Sequence, residues 1–405
     1  MEPQTEGSAM GESGTRSPQL FNGRKMFAIT NVLSGERAAA LFVKEQLDDI
    51  IGHSSVHVLN FKDPDWRANA VDFIRRQVNG KPENVFIVAG GDGTVSLALE
   101  LVDESGVNSD VTKPLVHTAV IPMGTGNDLS RSVGFGPGFS KDGCGCCCKV
   151  DSLQPTIDNI AKGTFSQLDL WTVTIRPKNP SKREEEDDAN VKTLMMVNYF
   201  SIGFDAAIAT RFANFRHNNP RLCSSRSLNK LWYGCYGLNA MCCEPVVSSC
   251  ASMVVEGKTF PLPDGIKSLV VSNVDSFAAG VTLWKKPDAS KRYVFPDGSA
   301  IPKPACREGD GNKCPFTPVD ISDGILECQG IFGSTHMGMM QMKTRHAERI
   351  AQGSDIRIQL DSPIMCQIDG EPLEDVYTLC ENGGGITIDI KFLRKAFIVA
   401  SSEEK

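Results

Sequence analysis

The sequence lacks any run approaching the roughly 18–20 consecutive apolar residues that a membrane-spanning helix needs. It also lacks an excess of positive charge: 42 Lys+Arg stand against 49 Asp+Glu, a formal net charge of −7 over 405 residues. Such a chain is a poor coat for nucleic acid, and it cannot hold a polyphosphate by bulk charge. Local devices would be needed instead: helix N-termini, a few placed Lys or Arg, and a divalent metal. There is no G-x4-G-K-[ST] loop and no G-x-G-x-x-G fingerprint, which excludes the commonest phosphate-binding signatures. The first 23 residues contain no C-x2-C…H zinc pattern. The first residues carry no apolar signal core, so residues 1–23 are expected to be a disordered leader and the address cytosolic. The 14 Cys then read as reduced thiols, with Cys144, Cys146, Cys147 and Cys148 too tightly spaced to wrap one zinc.

What is present is a change of hydrophobic period. Apolar runs at Lys25–Thr30, His57–Phe61, Val85–Ala89 and Thr118–Pro122 alternate with helical patterns at Glu36–Ile51, Trp66–Val78 and Val95–Val102, and a further helix starts near Asn127. That order predicts a three-layer α/β domain around a parallel sheet. Farther on, Ile356, Ile358 and Leu360 alternate, as do Ile386, Ile388, Ile390 and Phe392, and Met253–Val255 and Leu269–Asn273 read as strands. Period two marks half-buried strands. The expected fold is therefore α/β, a nucleotide-binding domain over 24–165 followed by a largely β domain over 166–400, whose C-terminal end could pack back on the first. One helix is read at Leu228–Met241. Residues 179–190 and Lys303–Pro318 read as exposed loops.

Two glycine-rich turns carry the chemistry. Gly90-Gly91-Asp92-Gly93-Thr94 joins a buried strand to a helix, and Gly124-Thr125-Gly126-Asn127-Asp128 does the same after the next strand. Glycines let backbone approach a ligand, and the helix starts offer unpaired N–H groups suited to phosphate. Asn31-Val32-Leu33-Ser34-Gly35 lies at the matching end of the first strand. Three such turns on one sheet edge suggest a nucleotide site. Asp92 within the first loop would repel phosphate unless a metal or a transferable proton intervened.

The string GGDGT resembles a superfamily of lipid and NAD kinases, and IPMGTGNDLSR is more selectively similar to diacylglycerol kinases. NYFSIGFD at Asn198–Asp205, SRSLNKLWYGCYG at Ser225–Gly237, DGILE from Asp323 and QIDGEP at Gln367–Pro372 resemble the accessory half of the eukaryotic enzymes. The resemblance covers about residues 24–400. It departs at Val32, where a proline is usual, at Ser322, where an acid is common, and in having no C1 modules within the sequence. It implies ATP-dependent phosphorylation of diacylglycerol at a membrane surface, with Mg2+. Asn31, Ser34, Gly35, Gly90, Gly91, Gly93, Thr94, Gly124, Thr125, Gly126 and Asn127 would cradle the nucleotide. Glu371 would be the leading general base with Asp92 its competitor, and Asp128, Asp169 and Asp323 would support the metal. Rival readings are a kinase of ceramide, sphingosine or monoacylglycerol, an NAD-type kinase, or a lipid-binding homologue without activity. Phe277, Leu283 and Trp284 are either a bilayer-dipping loop, with Lys285 and Lys286 at the headgroups, or part of the core.

Overall fold

The computed structural model describes residues 20–32, 37–78, 80, 83–138, 152–178, 191–219, 246–284, 316–382 and 384–402. Ser34, Gly35, the Cys144–Cys148 cluster, the loop 179–190, the helix read at Leu228–Met241, Lys285, Lys286 and most of the leader and of Lys303–Pro318 lie outside the described residues.

The apolar runs of the first half form parallel strands. After the short β1 (Leu20–Phe21), β2 (Arg24–Thr30) is flanked by β3 (Val56–Val58) and β4 (Asn84–Gly90), and β4 by β5 (Val116–Pro122). Every residue of β4 and β5 is buried, as continuous apolar strands covered on both faces must be. Alternate side chains go to opposite faces. Met26, Ala28, Val85 and Ile87 pack on α1 (Arg37–Ile51) and α5 (Gln154–Lys162). Phe27, Ile29, Phe86 and Val88 pack on α2 (Trp66–Gln77) and α3 (Asp92–Ser105). Each large side chain so buried contributes about 1.5–3 kcal/mol. Helix α3 starts three residues before its first apolar position, a turn that periodicity cannot reveal, and stops at Gly106, whose φ of 68° provides a left-handed cap. Strand β3 ends at Val58 rather than Phe61, because Phe61 turns outward against Trp66.

Two long strands carry the sheet into the second half. β6 (Thr164–Pro177) and β17 (Ile386–Ala400) pair antiparallel along their whole length, and Ile398 near the end of β17 pairs parallel with Thr118 of β5. The C-terminal strand therefore belongs to the α/β sheet as well. Its first half borders β14 (Asp355–Leu360), which in turn pairs with β9 (Ala251–Val255) and its hairpin partner β10 (Lys258–Phe260), while β7 (Lys192–Met196) borders β6. A second sheet runs β13 (Glu348–Gly353), β12 (Leu326–Ile331), β11 (Ser268–Ser272), β8 (Tyr199–Gly203), β15 (Cys366–Ile368) and β16 (Glu371–Pro372). The two sheets enclose a core of Trp171, Val173, Phe200, Ile202, Leu269, Ile356, Ile358, Ile386 and Ile388. The alternation read at Ile386, Ile388 and Ile390 holds, but Phe392, the last residue before a register shift, is 43% exposed with its ring edge-on to Trp171.

Helices α6 (Phe204–Asn218) and α8 (Glu374–Asn382) complete this half. Asp205, at the start of α6, accepts hydrogen bonds from Ser201, Ser268 and Gln367, so the strings NYFSIGFD and QIDGEP meet at one buried carboxylate. The bilayer-dipping reading of Phe277, Leu283 and Trp284 fails: all three are buried, and Trp284 donates its indole N–H to the Thr317 carbonyl. Among the described residues no helix is long and apolar enough to cross a membrane.

Glu327, on β12, lies fully inside this half. One carboxylate oxygen accepts from Gln352 at 3.0 Å and the other has no partner among the described residues. Burial, reinforced by nearby Asp323 and Asp275, pushes its acidity well above the usual carboxylate range. A raised folded-state pKa gives stability that is complete below the ordinary value of about 4.5 and is lost as pH rises towards the folded value. The Glu327→Gln variant escapes that loss. Its Tm measured against the parent should be nearly level at pH 5 and higher at pH 9. A difference that does not grow with pH would contradict a protonated Glu327.

Candidate active site

The glycine turns meet because backbone contacts backbone. Met123 N–H donates to Gly90 O at 2.8 Å, and a Cβ on Gly124 would lie 2.6 Å from Gly91 Cα. A Cβ on Gly90 would lie 2.4 Å from Thr94 Cβ, so the strand could not turn tightly into α3 with any side chain there. Asn31 joins the cluster: its N–H reaches Ala89 O, and its side-chain amide donates to Thr94 Oγ1 at 3.2 Å. The turns at Asn31, Gly90–Thr94 and Gly124–Asp128 are thus one assembly. Gly93 is exposed, and Gly124, Thr125 and Gly126 are half-buried at its open side. Asn127 differs in role. Its φ is 54°, it is buried, and its side chain clamps the second turn through Gly124 N–H, Gly124 O and Pro137 O.

Asp92 and Asp128 face one another across these turns. The Asp92 carboxylate points inward and accepts the N–H groups of Asp128 and Leu129, at 3.2 and 3.3 Å, which caps the short helix α4 (Asp128–Ser132). Burial and then the Asp128 charge push it up to about 7. Asp128 is raised as well, chiefly by burial. The second half holds Asp128 in place: Ser276 Oγ donates at 2.5 Å, and Ala279 N–H and Tyr199 Oη at 3.4 Å. A Cβ on Gly126 would meet both carboxylates, at 3.1 and 3.4 Å. Arg131 braces the same turn by donating Nε to Gly126 O at 3.1 Å.

Glu371 reaches the first turn from the other half of the chain. It comes directly after an Asp369-Gly370 hairpin turn whose residues have φ of 51° and 86°, the left-handed pair that a two-residue turn demands. Asp369 fixes this hairpin. Its carboxylate accepts the N–H groups of Val197, Asn198 and Tyr199 at 2.9, 2.6 and 3.0 Å, and Ser96 Oγ on α3 at 3.4 Å. Burial still pushes it up to about 6. Glu371 itself is exposed, makes no hydrogen bond among the described residues, and has Oε1 3.8 Å from where a Gly93 Cβ would stand. Sequence alone assigns Asp369 no role; an Asp-Gly pair flanked by strand residues is the signal that could have found it.

Asp169 and Asp323 form a separate acidic pair. Asp169, fully buried on β6, accepts Gly324 N–H at 2.6 Å and pairs with Lys395 at 2.9 Å. Lys395, on β17, carries no motif that singles it out in the sequence. Asp323 sits beside it and is pushed up to about 6 by burial, with Asp320 and Asp169 adding to the effect. Ser322 donates to Asp320, at 2.9 Å, so the nearby acid is tied back at this turn. Asp169 is therefore charge-compensated within the protein, whereas Asp92 and Asp128 have no cation of equal closeness among the described residues. Among the described residues no group of three His, Cys, Asp or Glu side chains is placed to hold a metal by itself. A divalent ion would need phosphate oxygens to complete its shell.

Residues 25–172 match the diacylglycerol kinase catalytic domain, and residues 195–372 the diacylglycerol kinase accessory domain. Diacylglycerol kinase 2 of Arabidopsis thaliana is 32% identical over 293 residues, covering 71% of this chain and 35% of that protein. Diacylglycerol kinase 1 of the same plant is 29% identical over 302 residues, 74% of this chain and 36% of its own length. Diacylglycerol kinase theta of Homo sapiens is 30% identical over 289 residues, 71% and 27% respectively. The chain thus spans about a third of the length of the curated relatives it matches.

Proposed function

This chain belongs to the diacylglycerol kinase family, and we propose that it moves the γ-phosphoryl group of ATP onto the free hydroxyl of diacylglycerol at a membrane surface, yielding phosphatidic acid. The observation that carries the proposal is the position of the Glu371 carboxylate over Gly93, where a residue from the β half meets the open side of the glycine turns.

ATP would lie with its phosphates along Gly91, Gly93, Gly124, Thr125 and Gly126, and Asn31 on its flank. These positions present backbone and no bulky side chains. Mg2+ would enter on the phosphates and neutralise charge on the transferring oxygens. The Asp92–Asp128 pair fits such an ion, since two desolvated, mutually repelling carboxylates are relieved by a nearby divalent charge. Asp169 and Asp323 are answered by Lys395 and backbone amides, and would not themselves hold that ion.

The acceptor hydroxyl must lose its proton as the O–P bond forms. Glu371 is the better base, because its carboxylate is exposed and bonded to no described residue, while both Asp92 oxygens already hold α4. Asp92 then serves to place the second glycine turn. Incubation with [γ-32P]ATP and a panel of diacylglycerol, monoacylglycerol, ceramide and sphingosine in mixed micelles, resolved by thin-layer chromatography, tests the reading. Phosphatidic acid should dominate; a dominant ceramide or sphingosine product would reassign the substrate.

A further inference from the structure

The connection between β12 and β13 ends in an exposed tip built around α7 (Ser334–Gln341). Its methionines divide by face. Met337 and Met340 turn inward onto Tyr199, Phe277 and Val281, while Met339 and Met342, three residues apart and on the opposite side, are 37% and 69% exposed. Phe332, at the entry to the tip, is 42% exposed. Lys343, Arg345 and His346 are exposed next to them. No Asp or Glu occurs between Phe332 and Ala347, in a chain whose net charge is −7. Neither Lys343 nor Arg345 forms an ion pair with a described residue.

The tip is also held in shape. Phe332 N–H donates to His336 Nδ1 at 3.2 Å, and His336 Nε2 donates to His346 O at 3.0 Å, tying entry to exit. Lys343 takes a left-handed φ of 58°, and its N–H returns to Met340 O. Exposed apolar side chains fixed beside cations that pair with no described residue suit a surface that is apolar below and anionic above, which describes a bilayer with acidic headgroups. The inward face of the same helix packs on Tyr199 and Phe277, and Tyr199, Ser276 and Ala279 hold Asp128. One packed core therefore backs the tip and reaches the catalytic turns.

We propose that residues 332–346 form the membrane-docking element, with Phe332, Met339 and Met342 entering the headgroup–acyl boundary and Lys343 and Arg345 meeting anionic lipid. The proposal deepens the diacylglycerol kinase reading and rests on it for the lipid substrate. The test uses the full chain in sedimentation with phosphatidylcholine vesicles with and without phosphatidylserine, in the absence of ATP and diacylglycerol. The parent should bind, more tightly with the anionic lipid. The Met339→Glu/Met342→Glu double variant should lose binding by about tenfold or more, and Lys343→Glu/Arg345→Glu should lose the preference for phosphatidylserine. Both variants should keep the parent's circular dichroism and its turnover of a monomeric short-chain diacylglycerol, since none of these residues touches the glycine turns. Absence of parent binding, or variants that bind like the parent, would overturn the proposal. So would variants that alter only the oligomeric state in light scattering, which would make the tip a protein contact. Vesicle binding that depends on the tip alongside a failed lipid-kinase assay would retain the element and reject the activity.

Discussion

Replacing Glu371 by Gln lowers kcat by about 10²-fold or more while ATP affinity stays within about twofold. The amide keeps the size of the side chain but cannot take the acceptor's proton. The fold should not notice the change, because Glu371 is exposed and makes no hydrogen bond among the described residues; its Tm should move by no more than about 1–2 °C. Asp369→Ala supplies the contrast. It strips the acceptor from the N–H groups of Val197, Asn198 and Tyr199 and frees the hairpin that carries Glu371. An unsatisfied buried donor costs about 1–3 kcal/mol, so this variant should lose both stability and kcat. Single-turnover phosphoryl transfer, nucleotide titration and thermal melts separate the two. Near-parental turnover in Glu371→Gln would remove that residue from the base role and return it to Asp92.

Gly93→Asp abolishes activity, to below about 1% of the parent, in a protein that still folds. A Cβ fits at Gly93, since the first atom it meets is Glu371 Oε1 at 3.8 Å. The new carboxylate would stand against Glu371 and the incoming phosphates, and like charges at such range are costly where water is displaced. The neighbouring turn behaves in the opposite sense. Gly124→Ala adds a single methyl group, but one directed 2.6 Å from Gly91 Cα and 2.9 Å from Asn127 Oδ1. Backbone cannot yield as a flexible side chain can, so the two glycine turns must move apart, with a loss of about 1–3 kcal/mol. Gly93→Asp should therefore melt close to the parent and fail to turn over, whereas Gly124→Ala should melt lower. A Gly93→Asp protein that turns over at roughly a tenth of the parental rate would place the phosphates elsewhere.

The two halves of the site differ in how far the sequence exposes them. The glycine turns are legible because the chemistry is local: a buried apolar strand, glycines at its end and a helix immediately after stand side by side in the chain. Glu371 is placed by resemblance, as the string QIDGEP says nothing of what lies opposite it. Asp369 stays hidden because its partners, the amides of Val197, Asn198 and Tyr199, carry no side-chain signature and lie some 170 positions earlier. Lys395 escapes for the same reason, since its ion pair with Asp169 spans 226 positions. Asn127 reads as a nucleotide contact from its place in the turn, and the fold adds that its amide also clamps the backbone of Gly124 and of the distant Pro137.

Neighbours along the chain were enough to settle where strands are buried on both faces, where backbone must bend without a Cβ, and that an acidic protein must meet phosphate through local devices. Which acids share a field, and which apolar side chains remain outside, was left to the fold. Phe277 and Trp284 look as apolar as Met339 and Met342, but the first pair is enclosed and the second is not. The reason is that burial and electrostatic coupling depend on distance in space, and long-range strand pairing such as that of β6 with β17 sets those distances without leaving a mark in any short window of residues.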